Sequence, residues 1–412
     1  MNDIAGALPN SSEPPEIQLG ALMEPDGPSF QRLLLQAWDD GFAVLPLDPR
    51  LPAPAIQDLL ERFRPTWMID QSGKQGLPDG IPVAGNVALV MPTSGTTGKP
   101  KGVLLTHDAL AASAHAVRQR IGYDLGERWL CCLPLSHIAG ISTLVRSRLA
   151  GSTPVIHNDF DPTAVAAERQ TTLISLVPTT LRRLMDAGID LSHYRAVLIG
   201  GGPVPAQLLD QAREAGTNVI ESYGMTETSG GCVFDGIPLN IVSTKLDPSG
   251  RILLKGNVLF DGYHLEPTLD REVLVDGWFH TSDRGEMRNE RLMVTGRLDD
   301  IIITGGENVS ASEIEIILLQ HPAITDVAVV ALPDDEWGQI PGALIVAQGD
   351  PPTLKEIRTF VAARTQRHKA PRKIVAVEAI KKTATGKVDR EEAVNQLNGY
   401  EIEEVGGLPA AT

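Results

Sequence analysis

The sequence predicts a layered α/β protein, with a large N-terminal domain of α/β subdomains plus a β-rich segment and a small α+β C-terminal domain. Three observations lead there. From residue 86 onward, short apolar runs of strand character alternate with stretches of helical period, the rhythm of parallel sheets with crossover helices. After Gly230 the rhythm gives way to alternating residues broken by turns, which reads as antiparallel β. Beyond Gly296-Arg297-Leu298-Asp299-Asp300, strands and helices interleave again over roughly 110 residues, enough for a separate domain.

Taken in order, residues 1–18, with Pro9, Ser11, Ser12, Pro14 and Pro15, read as a loose leader. The first element is then a helix over 29–39, followed by a short strand within 41–48. Strands are expected at 87–91, 129–133, 153–157, 173–177, 196–199 and 218–222, with helices at 106–120, 178–187 and 205–215. Residues 251–263 and 278–294 read as antiparallel β. The C-terminal unit has strand signals at 301–304, 327–332 and 343–347, helices at 312–320 and 354–364, and a frayed tail from 406. The domains are placed at 1–296 and 297–412.

Composition narrows the class. A chain of 412 residues with 42% hydrophobic content can bury more than one core. A formal charge of −16 argues against nucleic acid or an anionic membrane surface as the main partner, so an anionic substrate needs a locally basic site. No run approaches the ~18 apolar residues of a membrane span, and the N-terminus lacks a basic segment followed by an apolar one, so a cytoplasmic location is expected. The three cysteines, Cys131, Cys132 and Cys232, are odd in number and two are adjacent in an apolar run. They are expected as buried small hydrophobes rather than a disulfide framework or zinc site.

The chemistry concentrates in Thr93-Ser94-Gly95-Thr96-Thr97-Gly98-Lys99-Pro100-Lys101-Gly102. Three glycines let backbone amides turn inward, four hydroxyls add donors and two lysines add charge, the inventory for gripping a polyphosphate. A strand precedes it, and a helix opened by a Thr106 cap follows. It is not a Walker A loop, because Gly98-Lys99 is followed by Pro100 rather than Ser or Thr. Four further segments stand in order: Gly200-Gly201-Gly202-Pro203 at a strand end, Tyr223-Gly224-Met225-Thr226-Glu227-Thr228 after the next strand, residues 278–285 around Asp283, and residues 383–390 with Lys387.

On these five ordered motifs the chain, from about Gly41 to Arg390, resembles the adenylate-forming superfamily of acyl-CoA synthetases, adenylation domains and luciferases. The resemblance implies a carboxylate attacking the α-phosphate of ATP with Mg²⁺, giving acyl-AMP and pyrophosphate. A thiol, CoA or a carrier thiol, then displaces AMP while the mobile C-terminal domain reorients. By resemblance, Thr93, Ser94, Gly95, Thr96, Thr97, Gly98 and Lys101 hold the β- and γ-phosphates. Gly201, Gly202 and Pro203 lie along adenine, and Tyr223 stacks on it beside Gly224. Thr226 contacts the α-phosphate, Glu227 holds the metal, Asp283 accepts from the ribose hydroxyls and Arg297 makes a second ribose or phosphate contact. Asp299 falls on the hinge, Gly305 and Gly306 on a loop entering the site in the thioester-forming state, and Lys387 on the catalytic loop.

Residues 133–147, Leu-Pro-Leu-Ser-His-Ile-Ala-Gly-Ile-Ser-Thr-Leu-Val-Arg-Ser, bear on the acid. They resemble the family's His motif, in which His137 lines the acyl pocket beside a helix carrying Ser142 and Arg146. Arg146, nine residues beyond His137, and the early glycine loop are similar to o-succinylbenzoate-CoA ligases of menaquinone synthesis. Their substrate has two carboxylates, one for activation and one for a cation to neutralise. Arg146 also reads as a surface cation closing a helix. Another small aryl- or acyl-CoA synthetase, an enzyme loading a separate carrier protein and a nucleotide-binding regulator remain open, as does oligomeric state, a homodimer included.

Overall fold

The computed structural model describes residues 15–94, 100–298, 300–382 and 388–399, apart from the side chains of Ser94 and Asn308. The N-terminal sheet has six strands, in the order Gly73–Gly76, Trp67–Asp70, Leu19–Leu22, Ala43–Pro46, Val87–Ser94 and Pro100–Thr106. Its centre is parallel and its two ends are antiparallel hairpins.

The last residues of the expected loose stretch 1–18 are structured. Glu16–Ile17 pairs with Val83–Ala84, and Leu19–Leu22 is an internal strand buried at all four residues. A four-residue strand of Leu, Gly and Ala directly after a Pro- and Ser-rich stretch carries no periodic signal of its own. Gly20 is needed there, since a Cβ would lie 2.0 Å from the Trp67 ring.

The second sheet has seven strands: Val155–Ile156, Trp129–Cys131, Leu173–Leu176, Ala196–Ile199, Val219–Met225, Gly230–Phe234 and Ile237–Pro238. The first five are parallel, as their near-continuous apolar character predicts for strands covered on both faces. Helices His107–Ile121 and Ile138–Leu149 lie in the main core with side chains of both sheets, including Leu89, Val117, Leu144, Trp129 and Phe234. The Thr106 cap is as expected: its hydroxyl accepts the Ala109 amide at 3.0 Å, and Gly122 closes the helix at φ 75°.

The antiparallel β-rich segment forms its own sheet from Val242–Leu246, Arg251–Gly256, Trp278–Arg288 and Leu274–Val275, with Arg291–Arg297 paired to Trp278–Arg288. C-terminal to it, Ile301–Thr304, Glu307–Ser310, Ile324–Asp334, Gly338–Ala347 and Lys373–Ala376 form a further sheet against helices Ala311–Leu318, Leu354–Ala362 and Arg390–Asn398. Side chains between Ile302 and Leu397 fill hydrophobic clusters separate from those of the preceding sheets. The expected hinge residue, Asp299, lies outside the described residues.

Candidate functional site

In the second sheet, Trp129–Cys131, Leu173–Leu176, Ala196–Ile199 and Val219–Met225 run parallel, so the segments following their carboxyl ends share one edge. Residues 200–203 and the His137 segment follow such strands, whereas Tyr223, Gly224 and Met225, expected after a strand ending at 222, are the last residues of the strand Val219–Met225, with Thr226 and Glu227 just beyond it. At Gly201 φ is +81°, a conformation that favours glycine, and a Cβ at Gly202 would meet nothing within 4 Å, which leaves open space for a flat ligand. Gly224 is required by packing, because a Cβ there would sit 2.1 Å from the Gly230 carbonyl oxygen across the hairpin. That explains the small residue between Tyr223 and the acid.

Thr226–Thr228 is a single 3₁₀ turn, closed by Thr228, whose hydroxyl accepts the Met225 amide at 2.9 Å. The turn presents Glu227. Among the described residues the hydrogen bond to this carboxylate comes from the Tyr263 hydroxyl, at 2.9 Å, and is made to Oε1. Tyr263 packs edge-on to Phe260, and its ring lies 5.2 Å from the Lys101 ammonium. Burial, then the Glu227 charge, raise the Tyr263 pKa, so it remains a phenol that donates.

Tyr223 donates its hydroxyl to Asp283 Oδ2 at 2.8 Å, and Arg297 Nη1 lies 3.6 Å from Asp283 Oδ1. Asp283 and Arg297 are direct partners across their strand pair. Burial first and Asp283 second hold Tyr223 protonated well above its ordinary range. Residues distant in sequence therefore meet at one point.

The glycine-rich segment departs from the strand-loop-helix reading. Its flanks form a hairpin: Val87–Ser94 pairs antiparallel with Pro100–Thr106, and the helix starts only after that second strand. Gly95, Thr96, Thr97 and Gly98, between the strands, lie outside the described residues. Thr93 Oγ1 donates across the hairpin to Lys101 O at 3.4 Å.

In the segment expected to line the acyl pocket, His137 is the N-cap residue of Ile138–Leu149 and lies near enough to Asp48 to help lower that carboxyl's pKa. Burial would raise Asp48; the Arg50 guanidinium, bound at 2.8 Å, outweighs it. The loop ahead of His137 is tied to the N-terminal sheet by Asp26 Oδ1, which accepts the Leu135 amide at 2.6 Å. Gly140 permits the close turn, since a Cβ would sit 2.3 Å from Pro134 O. Ser142 is buried and faces Gly230, next to the turn bearing Glu227: a Cβ on Gly230 would lie 3.7 Å from Ser142 Cβ.

Arg146 is not the surface cation that one reading allowed. It is 4% exposed, its Nη1 reaches Ser175 Oγ at only 3.5 Å, and its guanidinium lies 5.2 Å from the Trp129 ring centroid. Its Nε has no hydrogen-bond partner, and no carboxylate among the described residues forms an ion pair with it. Burial lowers its pKa to about 10, with the nearby Tyr123 and Cys131 opposing.

Gly305 and Gly306 have positive φ of 59° and 83°. They sit within the C-terminal unit, where the Gly305 amide donates to Trp337 O at 2.9 Å. Lys387 lies outside the described residues. Tyr263 went unread in the sequence; its one signal was a Gly262-Tyr263 pair in the β-rich segment.

Doubly wound sheets with Gly-rich turns, an acid and an aromatic at their carboxyl edge, and an Asp-Arg pair opposite define a nucleotide-binding enzyme. The chain belongs to the AMP-binding enzyme family. The model for AMP-binding enzymes matches residues 70–258 and that for the AMP-binding enzyme C-terminal domain matches 313–387. A probable 2-succinylbenzoate–CoA ligase of Mycobacterium tuberculosis is 40% identical over 84% of this chain and 95% of its own. The o-succinylbenzoate CoA synthetase of Bacillus subtilis, in complex with its acyl-adenylate intermediate, superposes with a TM-score of 0.84 at 28% identity, over 94% of this chain and 89% of that one. The same synthetase with ATP and magnesium ion gives 0.83 at 28% identity, over 92% and 89%. Among the described residues, no helix is long and apolar enough to cross a membrane.

Proposed function

We propose that this protein is an o-succinylbenzoate-CoA ligase, which joins the acid to CoA through an acyl-adenylate and serves menaquinone synthesis. The observation that carries the substrate reading is Arg146, a buried guanidinium without a carboxylate partner among the described residues, one turn beyond Ser142 on the helix that His137 opens. The relatives named for 2-succinylbenzoate support the same reading.

In the first half-reaction a carboxylate oxygen of the acid bonds to the α-phosphorus of ATP, the bond to the β-phosphate bridging oxygen breaks, and pyrophosphate leaves. Asp283 and Arg297 hold the ribose, Tyr223 and the Gly201-Gly202-Pro203 turn flank adenine, and Thr226 meets the α-phosphate. Residues 93–98 and Lys101 take the β- and γ-phosphates. The donor set suits Mg²⁺: Glu227 has one oxygen engaged by Tyr263, leaving the other for a hard cation, and no group of three or more metal-binding side chains gathers among the described residues. Bound there, the ion would share Glu227 with the substrate phosphates and would neutralise phosphate charge. Lys387 brings a cation to the carboxylate and α-phosphate, an electrostatic role worth about 10²–10³ in rate.

In the second half-reaction the CoA sulfur bonds to the acyl carbon and AMP leaves. Residues 297–412 act as a lid turning about Asp299, bringing Gly305 and Gly306 to the thiol side. The cytoplasm, which supplies ATP and CoA, is the location this reading entails. The test is to supply o-succinylbenzoate, benzoates and medium-chain acids separately with MgATP and CoA and to follow AMP release. Turnover of o-succinylbenzoate well above the monoacids is expected, and equal turnover of all of them would defeat the substrate reading.

A further inference from the structure

The outgoing strand of the glycine hairpin, Pro100–Thr106, is the last strand of its sheet. Residues 261–264 line its outer side: the Leu104 amide donates to Gly262 O and the Asp261 amide to Leu104 O, both at 2.9 Å, and the His264 amide donates to Gly102 O at 2.7 Å. These contacts end at Gly102, two residues short of the strand's start. Pro100 has no N–H to add.

The N-terminal region supplies the missing anchor. Arg62, in the last turn of Ala53–Phe63, donates from Nε to the Pro100 carbonyl and from Nη2 to Glu266 Oε1, the latter at 2.7 Å. The same helix end presses on the strand, because a Cβ at Gly102 would lie 2.9 Å from Phe63 Cε1. The His264 ring nitrogen meets Phe63 O at 3.0 Å, so strand, helix and the 261–264 segment form one brace. Lys101 sits within it, its ammonium over the Tyr263 ring and Tyr263 bonded to Glu227.

We infer that Arg62 is a positioning residue for the phosphate end of the nucleotide site. By gripping Pro100 O, with Glu266 orienting its fork, it fixes the backbone that carries Lys101. The inference rests on the reading of the glycine hairpin as the phosphate-binding element. Arg62 precedes the residues 70–258 matched by the family model, so its role follows from this fold and not from a motif. A preset cation costs a polyphosphate less ordering on binding than one that must be fixed each time. Lysine in place of Arg62 keeps the charge but loses the planar fork that sets both bonds at once.

Binding of MgATP and of AMP, measured by titration calorimetry on the full chain, tests this in wild type, Arg62→Ala, Arg62→Lys and Glu266→Gln. Loss of a charged hydrogen bond predicts MgATP binding about tenfold weaker in Arg62→Ala. AMP, lacking the outer phosphates, should change less than twofold, and Arg62→Lys should recover part of the loss. Unchanged MgATP affinity in Arg62→Ala, or an equal loss for AMP and MgATP, overturns the inference alone. A wild type that gains no affinity from the β- and γ-phosphates overturns the reading of the hairpin and the inference with it. Should Arg62→Ala fail to fold, Arg62→Lys and Glu266→Gln carry the same comparison.

Discussion

Replacing Arg146 with Met should make the protein more stable and its reaction worse. The guanidinium is 4% exposed and has neither an ion pair among the described residues nor a partner for Nε. The drop of its pKa from 12.5 to about 10 corresponds to roughly 3 kcal/mol of cost in keeping the charge buried. Stacking on Trp129 returns about 0.5–2 kcal/mol. Methionine fills similar space without charge, so Arg146→Met should gain about 1–3 kcal/mol at neutral pH, by this bookkeeping. The sign follows from a base whose folded pKa lies below its unfolded one. Below pH 10 both states are charged and the fold bears the whole cost; between about 10 and 12.5 the folded state sheds the proton and the gap between wild type and variant narrows. Urea unfolding with and without o-succinylbenzoate is the assay. Wild type should be stabilised by the acid and the variant should not, with KM for the acid raised about tenfold or more for a lost charged contact. A variant that is less stable than wild type and keeps its KM would show that Arg146 is a packing residue.

Three other outcomes follow from the geometry. Tyr263→Phe removes the described donor to Glu227 and should raise the Mg²⁺ concentration needed for half-maximal pyrophosphate exchange by about tenfold, the scale of a charged hydrogen bond, with the KM for the acid unchanged. Gly224→Ala places a methyl 2.1 Å from a backbone oxygen that cannot yield locally, so melting temperature and exchange activity should fall together. Glu315, its amide-bonded carboxyl raised by burial to about 7 against the pull of Arg390, is an acid whose folded pKa exceeds its unfolded one. Its contribution is greatest when it is protonated and is lost as pH rises from about 4.5 through 7. Glu315→Gln should flatten the pH dependence of stability across that window in chemical denaturation.

Much of this was legible in the chain. The central parallel strands Trp129–Cys131, Leu173–Leu176 and Ala196–Ile199 could be read because they are fully buried and so almost wholly apolar, and the Thr106 helix because cap and period agreed. Motif order singled out Tyr223, Glu227 and Asp283, and the fold brings the Tyr223 hydroxyl onto Asp283. What escaped was set by long-range packing. Leu19–Leu22 is too short to show a period, and the hairpin after Ser94 was hidden by a run of Lys, Pro and Gly that reads as loop until its partner strand is known. Tyr263 gains its role from a carboxylate 36 residues earlier in the chain. Arg146 sits on a helix whose sequence permits either face, and only the surrounding Trp129 and Ser175 decide that it points inward.

The three cysteines, buried and with thiols pushed up to about 12, leave the native surface without a reactive sulfur. A chromogenic disulfide added to the working enzyme would therefore report the sulfur of CoA and nothing of the protein's own. Because the reagent itself consumes CoA, the thiol remaining is read in aliquots drawn from the native mixture, with colour from the enzyme appearing only on unfolding. The same burial keeps the protein's thiols from exchanging with the disulfide of CoA, so no mixed disulfide forms on the native protein.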